Sequence, residues 1–478
     1  MVTCRQLALL GLGLLSGCGV LQPNSTPAKE GSAAGTAAGT PPPGAAGAPI
    51  GTVDPGGTGP QYPGTGFIVH EWGTNTIVVG TDGAPLLGLH HEEEDLPAFA
   101  YDRKSPSVAR SPSQVKMETP VTYFYSDAPL TAHVDVSFPR GVFTQWYPAV
   151  VAYFPWVLAG KGDPVFDKSF PFSSPECRTD NGALKNGQLD WGDVDVLARD
   201  AVPTLPDASL DQYTWSYARA VASNPVRVIG EPDATSSSGP HPSGAQEERF
   251  LFYRGLGDFP LDVKITAAAG PTGDDGGLVL TNGDAANAIG AVFVLRVEAD
   301  HAAFKVLPAG LVPSGSLAEV APPATQPIDA YAQDLAKAMV TELDKAGLYH
   351  DESVAMVKTW ARQWFRTPGV RVLYLAPRPW TDAQIPLTIS PAPQQMVRVM
   401  MIRVEAITRV QEQADLVAAH NLDGDASAQA SGEAYFAALG RFAEPRLRRA
   451  MAQMAAGPSA TSYLAALSGV DASVRIGE

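Results

Sequence analysis

The chain has 478 residues, 45% hydrophobic content and a formal net charge of −16. That length can bury a sizeable core. The acidic balance repels phosphate backbones and argues against nucleic acid as a partner. It equally opposes contact with anionic lipid head groups, so membrane contact has to come through an anchor.

In chain order, Arg5 precedes the apolar run LALLGLGLL, and LSGC follows at 15–18. A basic residue, a short apolar core and small residues before a cysteine predict a signal peptide over 1–17, too short for a permanent span. The pattern resembles the lipobox of bacterial lipoproteins, which implies that Cys18 is lipidated and becomes the mature N-terminus. An ordinary signal peptide cut nearby, with Cys18 incidental, is the alternative. Gly19 after the cysteine points to the outer membrane or cell surface rather than to retention at the inner membrane. Cys4 leaves with the signal and Cys18 carries lipid, so Cys177 has no partner for an intramolecular disulfide.

Residues 18–65 are mostly Gly, Ala, Pro, Ser and Thr. Too little apolar bulk is present to fold, and the segment is expected to be a disordered tether with a reach of roughly 35–40 Å. Residues 66–310 then read as a β-rich domain. FIVHEWGT, TPVTYFY and LTAHVDVSF are strand-like, and Ala132, Val134, Val136 and Phe138 share one face. SDAP between the last two reads as a hairpin turn. QYTWSYARAV, RFLFYRG, LDVKITAA, GLVLTN and GAVFVLRVEA are expected to add strands. Residues 327–410 form an α/β segment expected to pack on that domain. Its first helix shows Tyr331, Leu335, Met339 and Leu343 at one spacing. Its second shows Val354, Val357, Trp360, Ala361 and Trp364, with Asp351 placed to cap it. Residues 411–478 read as an Ala-rich helical tail. The fold class expected is α+β and β-rich: an antiparallel β-sandwich or rolled sheet with a helical pair and a C-terminal helical tail.

FIVHEWGT, KMETPVTYFYSDAPLTAHVDVSFPRGVFTQWYP, RFLFYRGLGDFPL, GLYHDESVAMVKTWARQWF and VRVLYLAPRPW occur together in one chain. In this combination the chain resembles an uncharacterised secreted bacterial protein family of the planctomycete and myxobacterial type. The resemblance covers most of 66–410 and implies no activity, cofactor or site residue.

Candidate chemistry has to be weighed from the residues themselves. Neighbours on a strand point to opposite faces, so His70 and Glu71 do not form a local dyad. Glu71, if buried, needs a cationic partner, and Arg254, Arg371, Arg378 and Arg403 lie in suitable strand-like segments. Glu71 is read as structural. LHHEEEDLP at 89–97 reads first as a solvated acidic loop. Its other reading is a metal site of His70, His90, His91 and Glu92, holding zinc, with His133 as an alternative to His70 and with Glu92 or Glu94 as ligand or general base. Asp190, Asp193 and Asp195 read as solvent-facing strand carboxylates, with calcium as the other reading. Arg378 and Trp380 offer a fork and an indole face for a sugar or anion, or else seal the core. No ordered catalytic motif such as HExxH or GxSxG is present in the sequence. The expected function is therefore a lipid-anchored envelope or surface protein, a non-catalytic binding or scaffolding module with an envelope polymer or protein as partner. The alternative is a metal-assisted hydrolase acting on an envelope or extracellular polymer.

Overall fold

The computed structural model describes residues 53–89, 91–102, 113–154, 184–206, 210, 212–230, 244–268, 276–455, 457–459 and 461–467. All of them belong to one compact unit spanning Pro49–Glu478. The expected signal peptide, Cys18, most of the expected tether, His90 and Cys177 lie outside the described residues.

The chain opens with β1 (Ile68–Val79), β2 (Tyr101–Asp102), β3 (Val115–Tyr125), β4 (Leu130–Phe138) and β5 (Gly141–Tyr147). β6 (Ala152–Phe154), β7 (Gly187–Val196), helix α1 (Trp215–Arg219), β8 (Val226–Gly230), β9 (Gly244–Glu248) and β10 (Leu251–Gly257) follow. Next come β11 (Val263–Ala268), β12 (Gly277–Asn282), β13 (Val292–Val297), β14 (His301–Leu307), β15 (Ser316–Val320) and β16 (Gln326–Pro327). The helical pair is α2 (Ile328–Lys345) and α3 (His350–Arg366). After it run β17 (Gly369–Leu375), α4 (Arg378–Gln384), β18 (Leu387–Ser390) and β19 (Gln395–Ala406). Helices α5 (Arg409–Asn421), α6 (Ala426–Ala438) and α7 (Ala443–Gln453) close the chain, with a last helical stretch at 461–467.

The protein is α+β and strand-rich, with a sandwich-like core. A ten-stranded sheet runs β16-β14-β13-β17-β19-β1-β3-β10-β5-β2. A second sheet runs β18-β4-β7-β8-β9, with β6 beside β7, and a small third sheet is β11-β12-β15. β1 is buried along its whole length. One face of the large sheet carries helices α1 and α3: Tyr125 reaches Glu352 of α3, and Tyr123 reaches the Ala218 carbonyl of α1. The opposite face packs on the second sheet, where Trp191 lies 6.2 Å from Tyr253. A strand covered on both sides is mostly apolar on both faces, and its buried polar residues, His70 and Glu71, need partners. Gly73 allows the tightest point of that strand, since a Cβ there would stand 2.9 Å from the Pro120 backbone.

The expected stripe of α2 is buried at Tyr331, Leu335, Met339 and Leu343. That of α3 is buried at Val357, Trp360, Ala361 and Trp364, with Val354 partly covered. Five expectations are corrected. QYTWSYARAV contains helix α1, not a strand; Trp215 and Ala218, three apart, face the core together. SDAP does not join a hairpin, because β3 lies in the large sheet and β4 in the second one. The 327–410 segment is not packed on the β domain but completes it. β19 pairs in parallel with β1, and β17 joins β13 to β19. Residues 53–65 are not free tether: Val53 is in the core and Tyr62 stacks on Tyr125 at 5.5 Å. These few apolar and aromatic side chains anchor an otherwise Gly/Pro-rich strap. Helix α3 begins one residue before Asp351, and Glu352 rather than Asp351 accepts the Tyr349 backbone N–H.

Candidate functional site

The pleat of β1 sends His70 to the helix face and Glu71 to the second sheet. His70 Nδ1 lies 2.7 Å from Glu352 Oε2, and both side chains are fully buried. Glu352 also accepts the Tyr125 hydroxyl at 2.8 Å and the Tyr349 N–H at 2.7 Å. The Tyr349 ring stands 4.2 Å from the imidazole and the Tyr125 ring 5.4 Å. A carboxylate that accepts three donors is well matched to burial. The imidazole is thereby clamped into the layer between sheet and helix.

Glu71 meets Arg398 at 2.6 Å, accepts the Tyr253 hydroxyl at 2.5 Å and has Thr122 at 3.3 Å. Arg398 extends the chain of contacts to Asp382 of α4 at 2.9 Å. The structural reading of Glu71 thus has a cationic partner, but none of the four arginines expected. Parallel pairing of β1 with β19 sets Glu71 opposite Arg398, a register that local sequence does not encode.

The acidic run 92–94 is the largest departure from expectation. It is not a solvated loop. Glu92 pairs with Lys116 and with Arg254, the latter at 3.3 Å. Glu93 pairs with Arg403 at 2.7 Å and Arg441 at 3.5 Å. Arg403 and Arg371 share Glu405, at 2.7 and 2.9 Å. Arg441 binds Glu118 at 2.5 Å, and Thr76 donates to the same carboxylate at 2.6 Å. Lys116, Arg254, Arg371, Arg403 and Arg441 are all buried. Burial alone would raise the Glu118 and Glu405 carboxyls. Arg441 at Glu118, and Arg371 with Arg403 at Glu405, outweigh it and hold both below the ordinary glutamate range. The run folds inward because buried cations on three strands and on the C-terminal segment need counter-charges.

Glu94 differs from its neighbours. Burial pushes its carboxyl up to about 7, and Arg254 offsets this only in part. Its Oε1 is buried with no hydrogen-bond partner, while its backbone carbonyl accepts from Arg254 at 2.9 Å. Nearby, Thr119 holds a φ of +50°, a left-handed conformation that a β-branched residue seldom adopts. Arg254 and Thr119 line a cavity of about 10 Å³, far below the size of a substrate site.

The described members of the expected metal site are each held elsewhere or separately. His70 is held by Glu352, Glu92 by Lys116 and Arg254, and His91 is partly buried in the same loop. Among the described residues no group of three His, Cys, Asp or Glu side chains is placed to hold a metal ion; His90 lies outside them. Asp190 and Asp193 flank His133 at 3.3 and 3.7 Å, and Asp195 pairs with Arg227 at 2.8 Å. Trp380 is buried 5.5 Å from Phe259, whereas Arg378 is half exposed and pairs with Asp382 at 3.2 Å. The fork-and-indole platform is therefore split, its indole sealed into the core.

Arg398, Glu118, Glu352 and Arg441 carry the internal charge network without having stood out in the sequence. The one available signal was charged residues inside apolar runs, as in VRVMMIRVEA and KMETPVTYFY. No protein-family model matches the chain, and no curated protein shows detectable sequence similarity to it.

Proposed function

We propose that the chain is a lipid-anchored protein of the bacterial envelope or surface, held through Cys18, whose folded part is a non-catalytic binding or scaffolding module. One observation carries the reading of the folded part. Five glutamates of the charged layers, Glu71, Glu93, Glu118, Glu352 and Glu405, are bound to Arg398, Arg403, Arg441, His70 and Arg371. Groups spent on one another build a rigid body; they do not wait for a substrate. The envelope partner is a polymer or a protein, and membrane contact runs through the acyl anchor. The test is labelled palmitate incorporation and membrane fractionation of the full chain in a bacterial host, beside Cys18→Ser. Label and membrane partition are expected in the parent and lost in the variant. An unlabelled, soluble parent refutes the anchor.

Glu94 favours a second reading, a metal-assisted hydrolase acting on an envelope or extracellular polymer. A carboxyl raised to about 7 beside Arg254 suits a general acid–base at neutral pH. Release of label from an envelope polymer by the full chain, abolished by Glu94→Gln and by chelation, is what this reading requires.

A further inference from the structure

A pocket of about 530 Å³ lies between the turn after β1 and the C-terminal helices. Its size is that of a small-ligand site, roughly 300–1,000 Å³. Leu86 and Leu87 form one wall, and Met451 and Tyr463 form the other. Methionine adapts to the shape of an apolar guest. Arg448 and Arg449 of α7 line the same pocket.

The two arginines are held differently. Arg448 is tied to Glu444, itself buried, at 2.6 Å. Arg449 binds Glu412 at 2.9 Å and Asp82 at 3.0 Å, and the Asp82 side chain is 53% exposed. Asp82 also accepts the Ala84 N–H at 3.0 Å, but as the more exposed carboxylate it is the weaker held of the two counter-ions of Arg449. A guanidinium with one firm and one loose carboxylate, beside an apolar recess, offers the loose position to an incoming anion.

We propose that this pocket binds a free, single-chain amphiphile with a carboxylate head, its tail against Leu86, Leu87 and Met451 and its head replacing Asp82 on Arg449. The proposal rests on reading the folded part as a binding module and names the ligand class. It does not depend on the lipid anchor, which stands or falls on the palmitate experiment.

The test uses the full chain carrying Cys18→Ser, purified without detergent, and calorimetric titration with monomeric dodecanoate. Saturable 1:1 binding is expected, weakening roughly three- to fourfold per methylene removed from the tail. Dodecyltrimethylammonium is expected to bind at least tenfold more weakly. Met451→Trp, which fills the recess, should abolish binding at an unchanged melting temperature. Asp82→Asn should tighten dodecanoate binding severalfold, because it removes the competing carboxylate; a purely structural Asp82 would not do this. No saturable binding, equal binding of the cationic amphiphile, unchanged affinity in Asp82→Asn, or binding seen only with phosphatidylglycerol vesicles would each overturn the proposal.

Discussion

His70 and Glu71 are adjacent in the chain and lie on opposite faces of the ten-stranded sheet. One is clamped by Glu352 of α3 at 2.7 Å, the other by Arg398 of β19 at 2.6 Å. A single dipeptide thus ties the central strand to the helical layer on one side and to the ion pair beneath the second sheet on the other.

Removing the charge of Glu71 leaves Arg398 buried with only Asp382, which is 44% exposed. Glu71→Gln is expected to cost about 3–5 kcal/mol in denaturant unfolding, the range for one partner lost from a buried pair. Asp382→Asn should cost far less. Equal costs for the two variants would show that the contact with Glu71 is not the dominant one.

The carboxyl of Glu94 makes stability depend on pH in a definite direction. Its folded value, about 7, lies above the ordinary 4.5, so the folded state binds the proton more tightly than the unfolded one. Its contribution is fully present below about pH 4.5 and is lost as pH rises through 7. Glu94→Gln should flatten the melting-temperature profile between pH 5 and about 8 relative to the parent. A parent profile unchanged by the substitution contradicts the assignment.

Arg441 fastens the C-terminal helices to β3 through Glu118, at 2.5 Å. Arg441→Met leaves Glu118 short of its main counter-charge. Amide hydrogen exchange should then accelerate in α5–α7 before it does in β1 or β3. Uniform acceleration across both regions would mean that the helices and the sheet open as one unit.

The strap 53–66 is held by Tyr62, which stacks on Tyr125 and lies 4.9 Å under the Arg199 guanidinium. The His350 N–H also bonds the Pro60 carbonyl at 2.8 Å. Tyr62→Ala should expose the strap to limited proteolysis while lowering global stability by only about 1–2 kcal/mol. Cleavage within 53–66 at the parent's rate would show that the ring does not secure it.

Periodicity is a property of the local backbone, and what depends on it was legible in the sequence. Alternation along FIVHEWGT separates His70 from Glu71, and helical spacing selects the buried stripes of α2 and α3. Buried cations were also legible in kind, since arginines recur inside apolar strand segments. Their partners were not. Glu71 and Arg398 are 327 positions apart, and their meeting depends on the parallel register of β1 and β19. The acidic run 92–94 looks like a solvent loop from composition alone. Only the packed layers place Lys116, Arg254, Arg403 and Arg441 beneath it. A side chain's face follows from its own neighbours in sequence, whereas its counter-charge is chosen by register and layer packing between distant segments.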